Sequence, residues 1–438
     1  MKKFLLIIFC TIIFPLSAFS ATLKEALKQT FDNNLELQAE RKNLEIQQEV
    51  INMSRSDLLP TLTLTGKKNF EETNEITTQA GADASVTDVD TSSASIKLEQ
   101  TLLDGSGRKT EYEKSKLGLN LTEAKLIQKE QEIFLRAIEA YTGLILAYEK
   151  LNINEENVNL LQRQFELDNA RLSRGQITAS DLAQSQSSLA GAQARYIEAQ
   201  NNIVTSKLNY ENVIGTIAEE AKLKKIYNAQ VTIPKNLSEA KKISLEKSPE
   251  LIIAEIEYGQ SELDVKIARS DLSPTAKISL ERTYTDDLSS TYDEREKDVL
   301  KATVSWPFYS GGKKFATVDK NQSIKVRQRL LLDNAVKNNL TNVTSAWANL
   351  QSSESFLNSV KAQVKAAEIA NEGITAEYLS GASSRSTLDV IQSNALLLNA
   401  QISLANSERN YLLAQYNLLK SVGLLTSCLL YTSPSPRD

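Results

Sequence analysis

The sequence contains no histidine, two cysteines, eight prolines and two tryptophans in 438 residues, and aromatic side chains make up 6% of it. Without histidine there can be no Ser-His-Asp triad, no Cys-His nucleophile and no imidazole-ligated zinc. That removes the usual routes to hydrolase and metalloenzyme chemistry, and neither an enzyme nor a cofactor is expected. The aromatic content is modest for a chain that must fill several globular cores, which favours a repetitive helical object. With 50 basic and 55 acidic residues the formal charge is −5, so no basic surface for nucleic acid is present.

Both ends stand apart from the rest. Residues 1–20 read as a signal peptide: Lys2 and Lys3 precede the apolar stretch Phe4 to Phe14, and Ala18 and Ser20 supply small residues before Ala21. Export is the consequence. Residues 428–438, from Cys428 through Pro434 and Pro436 to Asp438, break the helical pattern abruptly and look like one reading frame of a sequencing adapter. Cys10 and Cys428 both fall in these ends, so the segment between them is free of cysteine and independent of redox state.

That segment is expected to be an internal duplication. Shifting the chain by 214 positions aligns residues 22–61 with 236–275 without a gap, with 12 identities in 40. The densest block pairs Arg55-Ser56-Asp57-Leu58-Leu59-Pro60-Thr61 with Arg269-Ser270-Asp271-Leu272-Ser273-Pro274-Thr275. Further on, Gly105 to Gly175 and Gly311 to Gly381 both span 70 positions. A first repeat is assigned to 21–215 and a second to 236–425, with a linker over 216–248 that overlaps the second.

No proline lies between Pro60 and Pro234 or between Pro307 and Pro434, so long helices can run unbroken. Phe134, Ile138, Tyr141, Ile145 and Tyr148 follow a helical stripe. Leu182, Leu189, Tyr196, Ile203 and Tyr210 recur every seven residues, as do Val390, Leu397, Leu404, Tyr411 and Leu418. A sustained period of seven implies left-handed coiling of helix on helix. Gly175 and Gly381 read as left-handed helix ends followed by Ser/Thr caps, which predicts a long antiparallel helical hairpin in each half.

An extended pair precedes each hairpin. Ile278 and Leu280 alternate with Lys277 and Ser279, and Ala302, Val304 and Trp306 alternate with Lys301, Thr303 and Ser305. The first half repeats this more faintly with Leu62 and Leu64, then Ile96 and Leu98. Strands of roughly ten residues with one apolar face suit a barrel wall around a watery lumen. Three features favour a membrane: export, the aromatic residues Tyr284, Trp306, Phe308 and Tyr309 near strand ends, and the polar segments 71–93 and 285–298, expected to be external loops. No run after residue 20 approaches the roughly 20 apolar residues of a membrane-crossing helix, so a span must be a barrel. Four strands cannot close one, because membrane barrels begin at about eight, so copies must join.

The order of these features in duplicate, with Leu23-Lys24-Glu25-Ala26-Leu27 at the start and Trp306-Pro307-Phe308-Tyr309-Ser310-Gly311-Gly312 after the last strand, resembles the TolC-like outer-membrane efflux protein family over residues 22–425. The resemblance implies a mainly α fold with a membrane β-barrel. In that fold three copies form a 12-stranded barrel continuous with a long periplasmic coiled-coil α-barrel, and residues 216–248 belong to a collar. It implies an exit duct of a tripartite efflux or type I secretion system, set in outer-membrane lipid and working with a periplasmic adaptor and an inner-membrane pump. It also implies a gate at the periplasmic tip. Asp181, Tyr378 and Arg385 would join neighbouring hairpins, Asp389 would belong to an acidic ring, and Gly175 and Gly381 would form the adaptor-facing turns. Gln392 stands where a second acidic ring residue is common, which predicts a weaker ring. Two residues more separate Gly381 from Asp389 than Gly175 from Asp181. An acid near a helix N-terminus is also favoured by the helix dipole alone.

The alternative is a periplasmic coiled-coil adaptor, which also carries a long helical hairpin. Against it stand two hairpins in one chain and only 15 glycines spread thinly.

Overall fold

The computed structural model describes residues 22–75, 85–217, 223–229, 231–289, 292–380 and 385–427. The predicted signal peptide, Gly381 and the segment 428–438 lie outside the described residues. Eight helices and four strands follow in the order α1 (Leu23–Asn33), α2 (Leu35–Ser56), β1 (Thr61–Glu75), β2 (Ser85–Leu103), α3 (Gly107–Ser173), α4 (Ala179–Val213), α5 (Leu237–Lys247), α6 (Pro249–Ser270), β3 (Thr275–Ser289), β4 (Tyr292–Ser305), α7 (Lys313–Leu379) and α8 (Thr387–Ser421). Helix lengths match in pairs: 11 residues for α1 and α5, 22 for α2 and α6, 67 for α3 and α7, and 35 for α4 and α8.

Two compact units divide the chain, one of residues 1–39, 127–248 and 339–438 and the other of residues 40–126 and 249–338. In the first unit the core collects where the helices carry their largest apolar residues. Phe134, Ile138, Tyr141 and Leu144 of α3 are fully buried against Leu23 and Leu27 of α1, Tyr210 of α4, and Leu412 and Leu419 of α8. The expected stripe on α3 thus holds through Ile145, which packs half-buried against this core. Tyr148 is 44% exposed, while Leu144, outside the expected stripe, is fully buried. Helix α5 packs through Ala240 onto Val343 of α7 and onto Leu418 and Val422 of α8. One ion cluster adds a polar tie: Glu36 accepts both guanidinium nitrogens of Arg136 at 2.9 and 2.8 Å and the ammonium of Lys129 at 2.8 Å.

Beyond that core the α3/α4 pair is thinner. Leu161 of α3 and Leu189 and Ala192 of α4 form a small apolar cluster, and α4 turns Ser185 and Ala199 inward at the same spacing. Polar residues Asn154, Asn157, Gln164 and Asp168 are buried along α3. Small and polar side chains at inward positions let two helix backbones approach closely.

The second unit holds one antiparallel sheet in the order β1-β2-β3-β4, in which β1 and β4 are edges. Its register puts Leu62, Leu98, Leu280 and Leu300 side by side in one row across all four strands. On the same face Ile278 lies opposite Ala302, and Ala276 opposite Val304. The other face carries Lys97, Glu99 and Lys277, which form ion pairs at 2.7 and 3.0 Å. Leu62 and Leu300 are 66% and 70% exposed, so among the described residues nothing covers the apolar face at these positions.

The strands run further than the alternation suggests. Residues 71–75, 85–93, 285–289 and 292–298, expected as loops, continue the two hairpin ladders. An antiparallel ladder needs only paired backbone groups, whereas the alternating pattern appears only where one face is apolar. Hydropathy therefore reports the apolar band and stops at its edge.

Candidate functional site

The far end of the α3/α4 and α7/α8 pairs is built by caps. Helix α3 ends at Ser173, and Gly175 just beyond it has a left-handed φ of +71°. The Gly175 amide donates to the Leu172 carbonyl at 2.8 Å and the Gln176 amide to the Arg171 carbonyl at 3.0 Å. This pair of bonds closes the helix and turns the chain back. Helix α4 then starts at Thr178, whose hydroxyl accepts from the Asp181 amide, while the Asp181 carboxylate accepts from the Thr178 amide and hydroxyl at 2.9 and 2.8 Å. Helix α8 starts in the same way. Ser386 and Asp389 make the reciprocal pair, with carboxylate bonds of 2.8 and 2.9 Å. Both acids are third residues of capping boxes, a position that sequence spacing alone explains. The amide and hydroxyl of Thr178 hold the Asp181 carboxyl below the usual range, and those of Ser386 do the same for Asp389.

Arg385 is exposed and donates from Nε to Glu377 at 2.6 Å, a contact that stays inside its own hairpin. Tyr378 is different. Its side chain is 4% exposed, and its hydroxyl donates to Asp168 of α3 at 2.6 Å while lying 3.0 Å from the Thr387 hydroxyl. The Arg171 guanidinium sits 4.0 Å from the ring centroid and donates to the Tyr378 carbonyl at 2.9 Å. Burial, with Asp168 beside it, pushes the Tyr378 phenol above its ordinary pKa, which keeps the proton available for donation.

Asp168 was not among the residues the sequence singled out. It is fully buried and also accepts from the Gln164 amide at 3.0 and 3.1 Å and from the Ser185 hydroxyl. Its only signal in the sequence is a charged side chain four residues after Gln164 on the inward stripe of a helix. Within one chain, then, Tyr378 meets Asp168, while Asp181, Arg385 and Asp389 each bond inside their own hairpin.

In the second unit three of the four aromatic residues, Trp306, Phe308 and Tyr309, follow the end of β4. Trp306 follows β4 directly, donates from its indole nitrogen to the Leu272 carbonyl at 3.1 Å and meets the Phe308 ring edge-on with centroids 5.9 Å apart. Phe308 and Tyr309 are 84% and 85% exposed. Tyr284 lies within β3, on the face that carries Leu280. Among the described residues no helix is long and apolar enough to cross a membrane.

The family model described as outer membrane efflux protein matches residues 26–216 and 242–424. The outer membrane efflux protein BepC of Brucella suis is 24% identical over 418 residues, covering 95% of this chain and 88% of its own length. The alkaline protease secretion protein AprF of Pseudomonas aeruginosa is 23% identical over 415 residues, with coverage of 93% and 85%. In fold, the CmeC outer membrane channel of Campylobacter jejuni superimposes with a TM-score of 0.82 at 15% identity, covering 92% of this chain and 86% of that one. The chain belongs to the outer membrane efflux protein family and is an outer-membrane exit duct, not a periplasmic adaptor.

Proposed function

We propose that three copies of the chain assemble into one duct. Their sheets join edge to edge into a 12-stranded barrel in outer-membrane lipid, and their helices form an α-barrel that reaches into the periplasm. The carrying observation is the sheet itself: among the described residues it has four strands, two edges without a partner, and one exposed apolar face. Edge strands with that pattern are stable in lipid only when other copies pair with them.

In this reading the protein conducts passively what an inner-membrane pump delivers through a periplasmic adaptor. Both efflux and protein secretion fit one duct, and the names of the relatives include both. The pairwise equality of helix lengths supports two repeats, 21–215 and 236–425. Helix α5, packed on α7 and α8, supports a collar role for the linker 216–248. The proposed gate lies at the tip. Arg385 and Asp181 exchange their present partners for contacts with neighbouring hairpins, Asp389 lines the pore as a threefold acid, and Gly175 turns its hairpin toward the adaptor. Tyr284, Trp306, Phe308 and Tyr309 anchor the barrel at the membrane interfaces.

Single-channel recording in planar bilayers tests this function. The wild type should give small, stable, cation-preferring conductance, Arg385→Ser should raise the conductance, and Asp389→Ala should lower the cation preference. Absence of any pore would overturn the duct. Unchanged conductance and selectivity in the two variants would move the gate elsewhere.

A further inference from the structure

We propose that Asp168 is the positioning residue of the tip: a buried carboxylate that clasps the α3/α4 hairpin to the α7/α8 hairpin within each chain and sets how far the pore is closed. This rests on the duct reading above and adds to it a residue that none of the tip assignments includes.

The contacts at the tip divide into those that stay within one hairpin and those that cross between hairpins. Asp181, Arg385 and Asp389 bond to Thr178, Glu377 and Ser386, all on their own hairpins. Separating the two hairpins breaks none of those bonds. The network around Asp168 instead draws one residue from each of four helices: Asp168 from α3, Ser185 from α4, Tyr378 from α7 and Thr387 from α8. All four are buried, at no more than 4% exposure. A carboxylate removed from water is stable only while donors surround it. Here the Gln164 amide, the Ser185 hydroxyl and the Tyr378 phenol do so. If the hairpins part, the phenol leaves and water must replace it, so the clasped and parted packings are two distinct states.

Burial also gives the clasp its own signature. Contacts between exposed charges weaken as salt is added, because screening lengths fall from about 10 Å at 0.1 M to about 3 Å at 1 M, whereas buried pairs are screened much less. Opening controlled by Asp168 should therefore be nearly independent of salt.

The experiment is single-channel recording of purified trimers carrying Asp168→Ala, Asp168→Asn, Tyr378→Phe and the Asp168→Asn/Tyr378→Phe double variant, at about 0.1 and 1 M KCl. Heat-sensitive trimer migration serves as the assembly control. Each single variant is expected to shift the closed-to-open ratio by roughly tenfold toward open, equivalent to about 1.4 kcal/mol. The double variant should do no more than the larger single, the shift should persist at high salt, and Asp168→Glu should restore part of the closed population. Asp168→Asn keeps the shape and one acceptor, so it assembles even where alanine fails. The clasp is overturned by assembled Asp168 variants that conduct like the wild type, by additive effects in the double variant, or by failure of every Asp168 variant to assemble, which would make its role one of folding. A wild type without pores would instead overturn the duct reading, so the two failures are distinct.

Discussion

Tyr378 and Asp168 lie 210 positions apart and meet through a 2.6 Å hydrogen bond, with the phenol donating to a carboxylate that has no exposed surface. Resemblance to the family places Tyr378 beside Asp181 instead. In this chain Asp181 turns back to cap its own helix, and the buried acid that holds the tyrosine lies on the preceding helix. Acids at the tip therefore do two kinds of work. The half-buried Asp181 and Asp389 fix helix starts, and the fully buried Asp168 ties hairpin to hairpin.

The two turn glycines at opposite ends of the helical pairs should respond differently to alanine. Gly175 has φ +71° and open space where a Cβ would stand, so Gly175→Ala bears only the cost of the left-handed backbone, about 1–2 kcal/mol. Gly423 has φ +80°, and its added Cβ would lie 2.2 Å from the Lys247 carbonyl oxygen. That atom belongs to the backbone and cannot rotate away. Gly423→Ala should lower the thermal midpoint of the protein well beyond Gly175→Ala, and equal midpoints would contradict the packing of α5 against the end of α8.

The Glu36 carboxyl is held down to about 2 by its hydrogen bonds to Arg136 and then to Lys129, from an ordinary value of 4.5. Because the folded pKa is depressed, the stability it contributes is present in full above the ordinary value and is lost as pH falls toward the folded one. Glu36→Gln should therefore melt below the wild type near neutral pH, with the gap closing between about 4.5 and about 2. The gap should be modest, since the pair is half-exposed and screened by solvent. A gap independent of pH would show that the ion cluster contributes nothing.

Much of this architecture is legible in the sequence, for physical reasons that vary by element. The long helices declare themselves because proline is absent and the apolar period of seven persists over four repeats, from Leu182 to Tyr210. The strands are visible where Ile278, Leu280 and Val304 alternate with polar partners, and invisible where both faces turn polar just beyond Tyr284. Helices α1, α2, α5 and α6 fall in the segment where the internal match is strongest, yet the repeat alone does not say which element repeats. Asp168 is the least legible, since an acid on a helix reads as a solvated face until Ser185 and Tyr378 are brought to it by tertiary packing.

The two faces of the sheet should differ sharply in their tolerance of charge. Val304 shares the face of Ala276 and Leu280, while Thr303 lies opposite Lys277 on the charged face. Val304→Arg should cost up to about 2–4 kcal/mol where the residue faces the bilayer midplane, and Thr303→Arg should cost far less. Assembly of heat-resistant oligomers in the membrane fraction reads the difference, and equal losses at both sites would favour a soluble hairpin over a barrel wall.

In the proposed assembly β4 of one copy pairs with β1 of the next. Repeating the observed β2 to β3 register, in which Glu99 lies opposite Ser279, brings Ser305 of one copy opposite Thr65 of its neighbour. The segment from residue 21 to 427 has no cysteine, so Thr65→Cys and Ser305→Cys can be placed together with Cys428→Ser as the only reactive pair. After mild oxidation in isolated outer membranes, denaturing gels should show covalent dimers and a closed covalent trimer from the double variant, and neither from each single variant. A ladder that stops at dimers, or a disulfide formed within one chain, would contradict the account.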